Sequence, residues 1–125
     1  MYHLLANVMT NLEYYRGDQL LWKEDAIVGS VFSMTGVKPG SFGISTNARK
    51  PRTMSDTLIS VLKQNNIPTL WLVRKVFLEE TDYQKATVRL RNTNVSCPIY
   101  FIVSGLKGNE GMVIEKDTND TNAYY

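Results

Sequence analysis

Apolar and polar positions change rhythm several times along the chain. "NVMTNLEYY" (Asn7 to Tyr15) and "QLLWKEDAIVGSVFSM" (Gln19 to Met34) mix alternation with short apolar runs, and both predict strands. The "RGD" between them, Arg16 to Asp18, reads as hairpin punctuation rather than as an adhesion ligand. From Ala26 to Val37 no residue is charged. A strand with one solvated face carries polar side chains at alternate positions, so this stretch is expected to be covered on both faces. Lys38-Pro39-Gly40 then predicts a type II turn. Proline presets φ at the first central position, and glycine supplies the positive φ needed at the second. The chain returns as "SFGISTN", with Phe42, Ile44 and Thr46 on one face and Ser41, Gly43 and Ser45 on the other. The small face admits close approach of another element or of a ligand.

The period then becomes helical. Thr53 followed by Asp56 resembles a capping box, and Met54, Leu58, Val61 and Leu62 mark one helical face. "QNN" closes that helix and Pro68 opens a second, whose apolar face carries Leu70, Trp71, Val73, Val76 and Phe77. Thr81 with Gln84 predicts the cap of a third, carrying Tyr83, Ala86 and Leu90. Strand character resumes in "CPIYFIVSG", which is nearly all apolar and reads as a central strand covered on both sides. "LKGNEG" is a loop and "MVIEK" the return strand; the tail "DTNDTNAYY" is polar and without pattern.

Strands, three helices and strands again make an α+β chain with antiparallel sheet and a helical layer. Within a single unit, 1–125, strands are expected over 1–47, helices over 53–91, a hairpin over 97–116 and a polar tail over 117–125. Helices grouped in sequence cover one side of a sheet only. Covering the other side requires oligomerisation or a longer chain.

Composition narrows the classes. Of 125 residues, 43% are hydrophobic and 21% charged, values that exclude disorder along the whole chain. A net charge of +2 with no dense basic stripe argues against nucleic acid as a partner. "RKPR" (Arg49 to Arg52) is the one basic knot, read as a solvated turn, with a phosphate or lipid-headgroup contact as the alternative. No apolar run is long enough to span a bilayer, and "MYHLLANVMT" lacks the basic and apolar regions of a signal peptide. Two glycosylation triplets occur, "NVS" at Asn94 and "NDT" at Asn119.

Familiar catalytic devices do not appear. The chain has no CxxC, HExxH, GxSxG or Walker pattern, and His3 is its one histidine. A histidine-based triad or metal site is therefore poorly supported, and no metal or cofactor is expected. Cys97 precedes Pro98 at a strand start and reads as a buried, inert thiol. Glu79, Glu80 and Asp82 read as a solvated helix junction; Glu24, Asp25 and Glu110 read as similarly plain surface acids.

Three collinear motifs nevertheless resemble one family. "GSVFSMTGVKPGSFGISTNAR" is similar to a segment of the acid ceramidase and N-acylethanolamine acid amidase family: a Gly/aromatic strand, a TG-x-x-P turn, and a strand ending in an acid followed by Arg. "TLWLVRKVFLEETDYQKATVRL" resembles its Trp-rich helix and following helix, and "CPIYFIVSGLKGNEGMVIEKD" its later hairpin. The resemblance covers nearly the whole chain. It implies an N-terminal-nucleophile hydrolase with a four-layer αββα sandwich, of which this chain would be an incomplete, central part of the catalytic subunit. It implies hydrolysis of ceramide or fatty-acid ethanolamide bonds in the lysosome, by a cysteine whose own α-amine serves as base, so that no histidine is needed.

That nucleophile, with the Arg and Asp that follow it, would lie upstream of the matched part, and a further Asn downstream. Cys97 does not stand in for the nucleophile. The implied partners are an N-acyl lipid and the remainder of the catalytic subunit. The competing reading is a non-catalytic interaction or lipid-binding remnant of the same fold. One family position falls within the chain: the acid before the strand-end Arg is Ala48 here, between Asn47 and Arg49. Asn47 and Arg49 are the candidate substrate-binding residues. Strand-end hydrogen bonding and a surface ion pair are the alternative for them.

Overall fold

The computed structural model describes residues 7–50, 55, 58–59, 62, 66–117 and 121–124. Seven strands form one antiparallel sheet in sequence order: β1 (Met9–Arg16), β2 (Gln19–Ile27), β3 (Thr35–Lys38), β4 (Phe42–Ala48), β5 (Ile99–Ser104), β6 (Gly111–Lys116) and β7 (Thr121–Tyr124). Two helices, α1 (Thr69–Glu79) and α2 (Tyr83–Asn92), connect β4 to β5. Ser55, Leu58, Ile59 and Leu62 are also helical. Thr53, Met54, Asp56 and Val61, which carry the predicted cap and face of that helix, lie outside the described residues. So do His3 and Asn119.

The helices seat their apolar stripes on one face of the sheet. In α1 the buried positions are Thr69, Leu72, Val73, Val76 and Phe77; in α2 they are Tyr83, Ala86, Thr87 and Leu90. Both sets follow the i, i+3, i+4, i+7 spacing that keeps one helical side inward. The sheet answers with Phe42, Ile44, Phe101, Val103 and Ile114. Each such side chain contributes about 1.5–3 kcal/mol by leaving water. Rings run in a stacked series from Tyr14 through Trp22 and Phe77 to Phe42, at centroid distances of 4.0, 6.1 and 5.7 Å. The Arg74 guanidinium lies over the Tyr14 and Trp22 rings.

A carboxylate inside this layer is held by two donors. Glu24 is 3% exposed and accepts from the Tyr14 hydroxyl at 2.7 Å and from Trp22 Nε1 at 3.1 Å. It is therefore an interior acid rather than the surface acid that its neighbour Asp25 suggested. Burial, then the hydrogen bond to Glu24, pushes the Tyr14 phenol above its ordinary pKa.

Two sheet lysines terminate the helices. Lys38 Nζ donates to the carbonyls of Phe77 and Glu80 at the end of α1, at 2.9 and 2.6 Å. Lys116 Nζ donates to Arg91 O near the end of α2, at 2.8 Å. Cations here satisfy orphan carbonyls and oppose the negative end of the helix dipole.

Local details differ from the sequence expectation in five places. β2 ends at Ile27, and 28–34 is a connection rather than more strand. Val28 N still bonds Val8 O, but Ser30 N turns back to Ile27 O. The cap of α2 is Asp82, which accepts from Lys85 N at 2.8 Å; the Thr81 hydroxyl donates to the Asp82 carboxylate and accepts from Lys85 Nζ instead of capping. Leu58 and Leu62, expected to face the core, are 64% and 74% exposed. The tail expected to lack pattern pairs with β6 as β7.

The fifth difference concerns the second sheet face. Register places Val37, Ser45, Ile102 and Val113 on the face away from the helices. Val37, Ile102 and Val113 are 47%, 40% and 38% exposed, so among the described residues this face is open rather than covered. The predicted turn at Lys38 does form: Ser41 N bonds Lys38 O at 3.1 Å and Gly40 has φ 70°.

Candidate functional site

At the β4 C-terminal end of the sheet, four segments enclose an apolar groove of about 360 Å³. Phe32 and Met34 come from the β2–β3 connection, Thr46 and Ala48 from β4, Pro68 to Leu70 from the start of α1, and Ser96 to Ile99 from the approach to β5. Each is placed by an ordinary local cause. The uncharged 28–34 segment cannot remain as strand after its turn, and it crosses towards α1. There Arg74 donates to Val31 O at 3.2 Å, and Phe32 meets Trp71 edge-on at 6.4 Å. Strand alternation points Thr46 and Ala48 to the helical side. Thr69 ties the first turn of α1 to the β5 approach: its hydroxyl donates to Cys97 O and accepts from Cys97 N, both at 3.1 Å.

Cys97 lines this groove and is half-buried, not the fully buried thiol expected from sequence. Among the described residues, the groove wall holds no histidine, carboxylate or amine that would serve the thiol as a base. Its chemistry is that of a binding surface for a hydrocarbon segment.

Asn47 and Arg49 sit at the same strand end but on the opposite face. Asn47 is exposed and pairs in register with Tyr100, which pairs in turn with Glu115. Arg49 binds two carboxylates, Glu115 at 2.9 Å and Asp117 at 3.1 Å. Burial works against the charged guanidinium. Hydrogen bonds to Asp117 and Tyr100 and the charges of Glu115 and Asp117 outweigh it and raise its pKa further. Arg49 thus links the end of β4 to the end of β6 across β5. The structure brings the two predicted residues together at one corner; the residue between them, Ala48, is the one in the groove.

Sequence reasoning missed most of the groove. Phe32 and Met34 were assigned to a strand, although Gly29-Ser30 gave a turn signal before them. Glu115 and Asp117 carried a readable signal, since two acids at i and i+2 on a strand share a face. Among the described residues no group of three or more metal-ligating side chains converges, and no helix is long and apolar enough to cross a membrane.

No family model matches the chain. Individual relatives do. It is 29% identical over 113 residues to the N-acylethanolamine-hydrolyzing acid amidase of Rattus norvegicus, covering 90% of this chain and 31% of that protein. It is 30% identical over 122 residues to the acid ceramidase of Mus musculus, covering 94% of this chain and 30% of that protein. The solved structure of the Caenorhabditis elegans N-acylethanolamine-hydrolyzing acid amidase ortholog superposes with a TM-score of 0.86 at 26% identity, covering 97% of this chain and 53% of that one. Sheet and helical layer are therefore those of an N-terminal-nucleophile hydrolase, of whose αββα sandwich this chain forms one sheet with its helices. The chain belongs to the acid ceramidase and N-acylethanolamine acid amidase family. It spans about a third of the length of the curated relatives it matches.

Proposed function

We propose that the chain is part of a hydrolase that cleaves the amide bond of N-acyl lipids, ceramide or fatty-acid ethanolamides, in the lysosome. The supporting observation is the apolar groove beside Ala48, at the corner that also holds Asn47 and Arg49. In this reading the groove takes part of the acyl chain, whose transfer from water contributes about 0.8 kcal/mol per buried methylene. The described residues supply wall and scaffold. An N-terminal cysteine, not Cys97, attacks the carbonyl, and water releases the acyl group.

The test uses the full-length protein and two N-acyl substrates differing in chain length. Ala48→Trp fills the groove. It is expected to lower kcat/KM for the long-chain substrate by ten-fold or more, with the short-chain substrate little changed, since each lost methylene contact weighs on long chains alone. Equal loss for both substrates would remove the groove from the reading.

Ala48 itself favours a second reading. Alanine neither accepts a hydrogen bond nor balances a positive charge, so the acid that the family pattern has at this step is missing. A non-catalytic, lipid-binding protein of the same fold would bind a fluorescent acyl probe in the groove and hydrolyse neither substrate.

A further inference from the structure

The groove and the ion cluster leave one sequence motif unused, "NVS" at Asn94 to Ser96, between α2 and β5. We infer that Asn94 is an acceptor for an N-linked glycan. The chemistry requires an Asn carboxamide followed at the second position by a hydroxyl residue, and a carboxamide from which a bulky, hydrated sugar can extend into solvent. Of the ten asparagines in the chain, only Asn94 and Asn119 meet the first requirement.

The fold meets the second at Asn94. Its side chain is exposed and makes no hydrogen bond with any described residue, while Val95 is fully buried and Ser96 is 7% exposed. The backbone beneath is fixed. Ile67 N donates to Asn94 O and Ser96 N donates to Ile67 O, both at 3.0 Å, around a parallel bridge between Ile67 and Val95. Modifying the carboxamide therefore breaks no hydrogen bond with a described residue. Burial of Ser96 is no obstacle, because acceptors are modified before the chain is packed.

Placement matters as well. Asn94 follows α2, on the side of the helical layer, whereas the open face presents Val37, Ile102 and Val113. Asn94 stands two residues from Ser96, which lines the groove, and is not itself among the groove-lining residues.

The inference does not rest on the amidase reading, since an inactive protein of this fold would carry the same sugar. The test expresses the full-length protein from its own reading frame in insect cells, in an Asn119→Gln background. Peptide-N-glycosidase treatment in heavy-oxygen water is followed by peptide mapping. The peptide holding Asn94 is expected as the labelled Asp form. Asn94→Gln and Ser96→Ala are each expected to lose one glycan step on a gel, with Ser96→Thr retaining it. Recovery of the Asn94 peptide unlabelled and unmodified from folded protein would overturn the inference. So would an unchanged glycan ladder in Asn94→Gln.

Discussion

Arg49 shows how a strand-end residue is decided by what lies two strands away. Its side chain is 24% exposed, and its two carboxylate partners are 19% and 16% exposed, so water screens the cluster only in part. Isolated surface pairs contribute little, whereas a partly shielded arginine bridging two acids contributes more. Arg49→Ala is expected to lower stability by about 1–2 kcal/mol in urea unfolding. A double-mutant cycle with Asp117→Asn should give a coupling of about 1 kcal/mol. Coupling within error of zero would mean that the bridge does not hold β6 to β4. Arg49→Lys should recover only part of the loss, because a single ammonium does not present the planar fork that meets two carboxylates at once. The family resemblance made Arg49 a candidate, but its partners come from β6, a position no local pattern specifies.

Between elements, the lysines of the sheet do the joining. Lys116 is 3% exposed and reaches Arg91 O, and burial holds its pKa below the ordinary lysine value. Lys38 is shifted the same way, again chiefly by burial. Lys116→Met is expected to cost about 1–3 kcal/mol by leaving the carbonyl without its donor. The pH dependence has a definite sign. A lysine whose pKa is depressed on folding binds fewer protons folded than unfolded. Wild-type stability therefore gains, relative to Lys116→Met, as pH rises through the folded pKa toward the ordinary value of about 10.4. Thermal melts of both proteins from neutral to alkaline pH would show the gap widening; a constant or narrowing gap would contradict the buried, charged Lys116. Elements themselves were largely legible. The α2 stripe follows from spacing, and the type II turn from Pro39-Gly40; in α1 spacing found Val73, Val76 and Phe77 but put Trp71, which is exposed, where Leu72 is buried. What was not legible was the end of β2, because an uncharged run reads alike as a covered strand and as a packed connection.

For the whole molecule the consequence is an open sheet face. Val37, Ile102 and Val113 form an apolar band flanked by the polar positions Lys23, Asp25 and Thr35 of β2 and β3. Exposed apolar patches and open sheet edges favour association. The 125-residue chain produced alone is expected to self-associate at concentrations on the order of tens of micromolar. The pair Ile102→Lys with Val113→Lys should shift it toward monomer in size-exclusion chromatography with light scattering. A wild-type chain that stays monomeric under those conditions would show that the band is too small to drive contact.

The sequence alone determined the order and type of most elements, the buried stripe of α2, and the two faces of β4. These are short-range matters, set by period, turn chemistry and proline and glycine sterics. Its motifs also carried the resemblance that the relatives and the solved fold support. Only the tertiary structure decided which sheet face the helices cover, that Glu24 is interior, that Arg49 meets Glu115 and Asp117, and that Ala48 enters the groove. Alternation assigns residues to a common face but is blind to which face is closed. That choice is made by pairing β4 with β5 across the intervening helices, a contact between segments about fifty residues apart whose outcome no local pattern encodes.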